Sequence, residues 1–142
     1  MTDRILIGEI LIKRKTITKE QLDHALGVQH KENGFVGEIL VKLGYLEERD
    51  IVVALVVQCG LPYIAVNKYT IDKASVNAIP KEFAQQERLI ALDKIGDVLS
   101  VVMTNPLSDE RKRQLEQLTG CRIATFIATK SEIEEAIHRH YN

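Results

Sequence analysis

The sequence is poor in the residues that usually cross-link or interrupt a chain: its 142 residues include no tryptophan, two cysteines and three prolines. Cys59 and Cys121 lie far apart and form no CxxC pair. Two isolated thiols in a chain of this size are typical of a reduced, cytosolic protein, in which they act as small apolar side chains. With 45% hydrophobic and 27% charged residues, the composition is globular and sufficient to bury a core.

The sequence also lacks an excess of positive or negative charge. Residues 1–60 contain 8 Lys/Arg and 9 Asp/Glu, and residues 61–142 contain 11 of each. This balance offers no basic field for a nucleic-acid polymer and no polybasic stretch for anionic lipid. The longest uncharged run, residues 51–67, is interrupted by Gly60 and Pro62, so direct membrane insertion is not predicted.

Sequence signatures of catalysis are missing as well. The chain contains no G-x-x-x-x-G-K-[ST] phosphate loop, no G-x-G-x-x-G and no G-x-S-x-G. Of its four histidines, His138 and His140 are two residues apart on a predicted helix, where their rings point in different directions. We therefore predict no catalytic residue, no metal site and no cofactor that the fold requires.

The first sixty residues contain an internal repeat. Residues 6–29 read LIGEILIKRKTITKEQLDHALGVQ, and residues 35–58 read FVGEILVKLGYLEERDIVVALVVQ, with a five-residue spacer between them. Nine of the 24 aligned pairs are identical: Gly8/Gly37, Glu9/Glu38, Ile10/Ile39, Leu11/Leu40, Lys13/Lys42, Ala25/Ala54, Leu26/Leu55, Val28/Val57 and Gln29/Gln58. Such a repeat indicates two copies of one supersecondary unit.

Each repeat has the pattern of a helix hairpin. In the first, Thr18 and Gln21 form a capping box for the second helix; in the second, Glu47 is a weaker N-cap. Antiparallel helices should place Gly8 near Leu26 and Gln29, with the same arrangement around Gly37. This pattern has two interpretations. The glycines, leucines and glutamines either line a ligand site or only pack and cap the helices. Spacing alone favours the second interpretation.

Beyond Pro62 the pattern predicts mixed structure. Residues 72–78 and 80–86 read as short helices, and residues 89–93 and 98–103 as a β-hairpin. A helix capped by Ser108, a strand over residues 122–128 and a last helix capped by Thr129 follow. The predicted fold class is α+β: an N-terminal helical subdomain, residues 1–60, of two repeated helix hairpins, and a small α/β sheet subdomain, residues 61–142.

The double repeat resembles the cyclic-di-GMP-binding N-terminal domain of type II secretion and type IV pilus assembly ATPases. That family has two 24-residue motifs of the form R-L-G … L … L … Q, separated by five residues. The second half is similar too, in IPKEFAQQERLIALDKIGDVLSVVMTNP and TGCRIATFIATKSEIEEAIHRHY. The resemblance covers essentially the whole chain and implies a regulatory domain placed ahead of a P-loop ATPase.

The resemblance also implies a ligand site, with cyclic di-GMP as the regulatory ligand. Carried over to this chain, it lies at Leu6, Ile7, Gly8, Leu22, Leu26 and Gln29 in the first repeat and at Phe35, Val36, Gly37, Ile51, Leu55 and Gln58 in the second. The motif arginines are missing, because they align with Leu6 and Phe35. Neither side chain supplies the charge or the bidentate fork of an arginine, and Lys15 replaces a glycine of the motif.

Two functions are therefore compatible with the sequence. The chain is a non-catalytic regulatory and protein-interaction domain of a type II secretion or type IV pilus ATPase system, or it is a cyclic-di-GMP receptor with an altered site. The resemblance implies as partner an inner-membrane platform protein or a P-loop ATPase module. It also implies a cytoplasmic location, peripheral at the inner membrane through that partner.

Overall fold

The computed structural model describes residues 7–32 and 34–141. The repeat region forms two helix hairpins, as predicted. The first consists of α1 (Ile7–Lys13) and α2 (Lys19–Glu32), and the second of α3 (Val36–Lys42) and α4 (Glu48–Cys59). These helices make up one compact unit, Leu6–Gly60, and the chain from Leu61 onward makes up another.

The two hairpins pack reciprocally. Helix α2 packs more extensively on α3 than on its own partner α1, and α1 packs more extensively on α4 than on α2. The short helices α1 and α3 also touch. Repeat-equivalent side chains are fully buried together, namely the pair Leu11/Leu40 and the pair Ala25/Ala54. Each hairpin therefore packs mainly on the other hairpin.

The turns inside the two hairpins share a backbone conformation but not a residue type. Gly44, in the α3–α4 turn, has a φ of +80°, and Lys15, at the equivalent place in the α1–α2 turn, has a φ of +62°. Left-handed backbone costs a residue with a Cβ about 1–2 kcal/mol, whereas glycine adopts it freely. The lysine that departs from the motif therefore carries strain.

Replacing Lys15 by glycine should stabilise the chain. Relief of the left-handed strain outweighs the extra entropy of glycine in the unfolded state, so we expect a gain of about 0.5–1 kcal/mol in unfolding free energy. Urea denaturation of the wild type, Lys15→Gly and Lys15→Ala measures it. The alanine variant removes the charge but keeps the Cβ, and equal stability of the two variants would contradict the explanation.

The second unit is a three-stranded sheet with helices packed on it. A 3-10 turn (Val66–Lys68), α5 (Lys73–Asn77) and α6 (Lys81–Glu87) precede strands β1 (Leu89–Ile95) and β2 (Val98–Met103). Helix α7 (Asp109–Thr119), strand β3 (Arg122–Ile127) and α8 (Lys130–His140) follow. The sheet order is β1-β2-β3, with β1 antiparallel and β3 parallel to β2. The predicted α+β class is confirmed.

The caps of this unit form where the sequence predicts them. The Ser108 hydroxyl accepts from the Arg111 amide at 3.2 Å, and the Thr129 hydroxyl accepts from the Glu132 amide at 3.2 Å. The Glu132 carboxylate accepts in return from the Thr129 amide at 3.1 Å, which completes the capping box. Local hydrogen bonds therefore fix the starts of α7 and α8.

Tertiary polar contacts secure the same unit. The Tyr141 hydroxyl lies 2.9 and 2.8 Å from the carbonyl oxygens of Val76 and Ile79, to which it donates, and burial raises its pKa to about 12. Arg111 donates to the Glu87 carboxylate at 2.9 Å and lies 4.3 Å over the centre of the Phe83 ring. These contacts tie the last helix to α5 and join α6 to α7.

Candidate functional site

The carried-over site lies on the two hairpins. Of its twelve residues, Leu6 is outside the described residues, and the other eleven lie on the four helices or, for Phe35, immediately before α3. Repeat-equivalent positions can therefore be compared one by one. We refer to these residues as the hairpin site.

The glycines occupy equivalent environments. A Cβ built on Gly8 would lie 2.7 Å from the nearest Leu22 side-chain carbon, and one built on Gly37 would lie 3.0 Å from the Ile51 Cδ1 atom. In each hairpin the start of the short helix thus meets a repeat-equivalent side chain of the longer helix, Leu22 in α2 and Ile51 in α4. The absent side chain allows this approach, so the glycines serve close helix packing.

The atoms nearest to the two glycines belong to Leu22 and Ile51 and not to the leucines and glutamines that the sequence analysis places near them. The side-chain atoms within 4 Å of a Cβ at Gly37 all belong to Ile51, so Leu55 and Gln58 lie farther away. The nearest atoms to a Cβ at Gly8 are likewise those of Leu22 rather than Leu26 or Gln29. In each hairpin the side chain nearest to the glycine is thus that of the fourth residue of the longer helix.

The leucines of the hairpin site differ sharply between the repeats. Leu26 is 42% exposed, whereas Leu55, at the equivalent position, is 0% exposed. Ile7 is also buried, whereas Val36 at its repeat-equivalent position is partly exposed. The same residue type therefore occupies a surface position in the first hairpin and a core position in the second.

The glutamines differ too. The Gln29 side-chain amide donates to the carbonyl oxygen of Gly34 at 2.7 Å, whereas Gln58 is exposed on the last turn of α4. The first glutamine thus caps the connector between the hairpins, as the packing interpretation predicts. Its amide N–H is used within the fold.

The charges at the helix starts do not suit an anionic ligand. Glu9 and Glu38 lie in the first turns of α1 and α3 and already complement the positive end of each helix. The arginine positions carry Leu6 and Phe35, which bring no charge. Cyclic di-GMP bears two phosphates, and neither arginine position of the motif supplies a cation for them in this chain.

Two contacts in the helical unit were missed by the sequence analysis. The Asp50 carboxylate accepts from the Glu47 amide at 2.8 Å and supplies the reciprocal bond expected from a capping box. His24 Nδ1 lies 2.5 Å from the Tyr45 hydroxyl, which joins α2 to the α3–α4 turn. The first follows from an acidic residue three positions after the cap. The second depends on tertiary packing and has no local signal.

Within residues 7–32 and 34–141 the structure contains no group of three or more His, Cys, Asp or Glu side chains that could hold a metal ion. In the same part of the chain, no helix is both long enough and apolar enough to cross a membrane.

The chain is similar to known proteins over nearly its whole length. The chain is 32% identical over 135 residues to the type IV pilus assembly ATPase PilB of Myxococcus xanthus, covering 95% of this chain and 24% of that protein. It is 30% identical over 137 residues to the type IV pilus assembly ATPase PilB of Thermus thermophilus, covering 95% and 15%. The chain thus spans a quarter or less of these relatives.

Solved structures agree with the fold. A structure of MshE with cdg matches with a TM-score of 0.73 and 26% identity, over 97% of this chain and all of that chain. The N-terminal domain of XpsE matches with a TM-score of 0.79 and 22% identity, over 96% and 94%, which supports the fold alone. The model of the MshEN domain family matches residues 59–142. The chain therefore belongs to the MshEN domain family, the N-terminal domain of type IV pilus and type II secretion ATPases.

Proposed function

We propose that this chain is a non-catalytic regulatory and protein-interaction domain of a type IV pilus or type II secretion ATPase system. One observation carries the proposal: both arginine positions of the ligand motif are apolar, at Leu6 and Phe35. The burial of Leu55 and the use of the Gln29 amide by Gly34 support it. The retained repeat then serves to hold the hairpins together.

The proposed partner is an inner-membrane platform protein or a P-loop ATPase module, through which the chain would be held in the cytoplasm at the inner membrane. Similarity to the PilB pilus assembly ATPases over 95% of the chain supports this class of partner. We also propose that residues 1–60 and 61–142 act as separate subdomains.

A second candidate, a cyclic-di-GMP receptor with an altered site, has its own support. The paired approaches of Gly8 to Leu22 and Gly37 to Ile51 preserve the repeat symmetry. The MshE structure that matches over 97% of this chain is one with cdg. Phe35 could contribute stacking on a guanine in place of a charged contact.

Calorimetric titration of the chain with cyclic di-GMP separates the two candidates. We expect weak binding or none, because each lost charge-assisted hydrogen bond removes roughly 1.5–3 kcal/mol. The same preparation should neither bind nor hydrolyse ATP, since the sequence has no phosphate loop. Tight binding of the wild type would favour the receptor, and turnover abolished by a substitution within this chain would contradict the non-catalytic assignment.

A further inference from the structure

We propose that the surface between the two hairpins is a self-recognition surface, on which a second copy of the chain can replace the chain's own hairpin. The hairpins are repeat copies, and each packs mainly on the other. The exchange would keep every contact between hairpins and change only which chain supplies each one. Such exchange of an identical element is a known low-cost route to a dimer.

The buried surface supports this inference because it is shared between the repeats. Leu11 and Leu40 are both fully buried, and Leu55 of α4 is buried in the same unit. Polar contacts also cross from one hairpin to the other: Glu32 and Lys42 approach to 3.8 Å, and His24 bonds to Tyr45. In an exchanged dimer the same contacts would form between two chains. Pairing within one chain is favoured by the short connector, which raises the effective concentration of one hairpin near the other.

Gly34 lies between α2 and α3, in the connector that joins the two hairpins. Gly34 has a φ of +101°, and its carbonyl oxygen accepts the hydrogen bond from Gln29 at 2.7 Å. A side chain with a Cβ is strained at this backbone angle, although the space around Gly34 is open. Substitution there would penalise the observed backbone conformation of Gly34, and the new side chain would enter open space. The equilibrium between the monomer and the exchanged dimer would then shift toward the dimer.

The test compares Gly34→Val with Gly44→Val in the full chain. Both glycines have positive φ and open surroundings, but Gly44 lies inside the second hairpin and not between the two. Light scattering after size exclusion should give Gly34→Val a dimer dissociation constant at least about tenfold lower than that of the wild type. The Gly44→Val control should lose stability and keep the dimer dissociation constant of the wild type.

Mixed isotope labelling identifies the exchange itself. The His24 and Tyr45 ring centres are 5.8 Å apart, so the two rings give a nuclear Overhauser effect. In a dimer made from differently labelled chains, exchange makes this effect intermolecular. A dimer in which it stays within one chain, or a folded Gly34→Val chain with unchanged association, would overturn the proposal. If Gly34→Val does not fold, Gln29→Leu removes the connector bond without backbone strain, and the same readouts and criteria apply.

Discussion

Replacement of Leu55 by alanine is expected to lower the free energy of unfolding by about 2–5 kcal/mol, the range for truncating a fully buried leucine. Leu55 is 0% exposed on α4, a helix that packs across the hairpins on α1. The cavity would therefore open where the two hairpins meet. Urea denaturation followed by circular dichroism measures the loss.

Leu26→Ala is the matched control, because Leu26 holds the same position in the first repeat and is 42% exposed. Truncating an exposed side chain leaves no cavity, so the expected cost is within about 0.5 kcal/mol. Similar costs at the two positions would show that Leu26 and Leu55 play the same role. That result would contradict the asymmetric burial. It would also remove the argument against a symmetric ligand site.

The double substitution Leu6→Arg and Phe35→Arg is expected to create or strengthen binding of cyclic di-GMP by on the order of a hundredfold or more. Each arginine restores a charge-assisted, bidentate donor worth roughly 1.5–3 kcal/mol, and a hundredfold corresponds to about 2.8 kcal/mol. The glycine approaches to Leu22 and Ile51 remain intact in this variant. Calorimetric titration of the variant and the wild type measures the gain.

Two controls separate a restored site from added charge. The variant Ile95→Arg with Leu118→Arg adds the same charge at positions that are 75% and 55% exposed in the other unit, and it should gain nothing. Each single arginine variant should gain less than the double one. A correctly folded double variant that binds no better than the wild type would mean that the retained repeat positions are packing only, which leaves the interaction domain as the sole function.

Sequence reasoning succeeded where the signal was local. The capping box of Thr18 and Gln21 forms with hydrogen bonds of 2.9 and 3.1 Å, and the β-hairpin around Gly96 occupies its predicted place. Both depend on residues a few positions apart. The helix hairpins followed from the repeat in the same way, because each copy contains its own start and stop signals.

The repeat could not predict which hairpin exposes its leucine. Leu26 and Leu55 are identical residues in aligned positions, and their burial depends on what packs over each helix. The reciprocal packing of α2 on α3 and of α1 on α4 also has no local signal. The same applies to the strain at Lys15, since the sequence shows a missing glycine but not whether the turn keeps its left-handed backbone.

The topology of the sheet also has a consequence for the order of folding. Strands β1 and β2 are joined by a tight turn, so their pairing closes a short loop, whereas the pairing of β3 with β2 closes a longer loop that contains α7. The segment around Tyr63, which bridges to Ile127, closes a far longer loop. We therefore expect this segment to pair late, although the ribosome releases it before the strand to which it pairs.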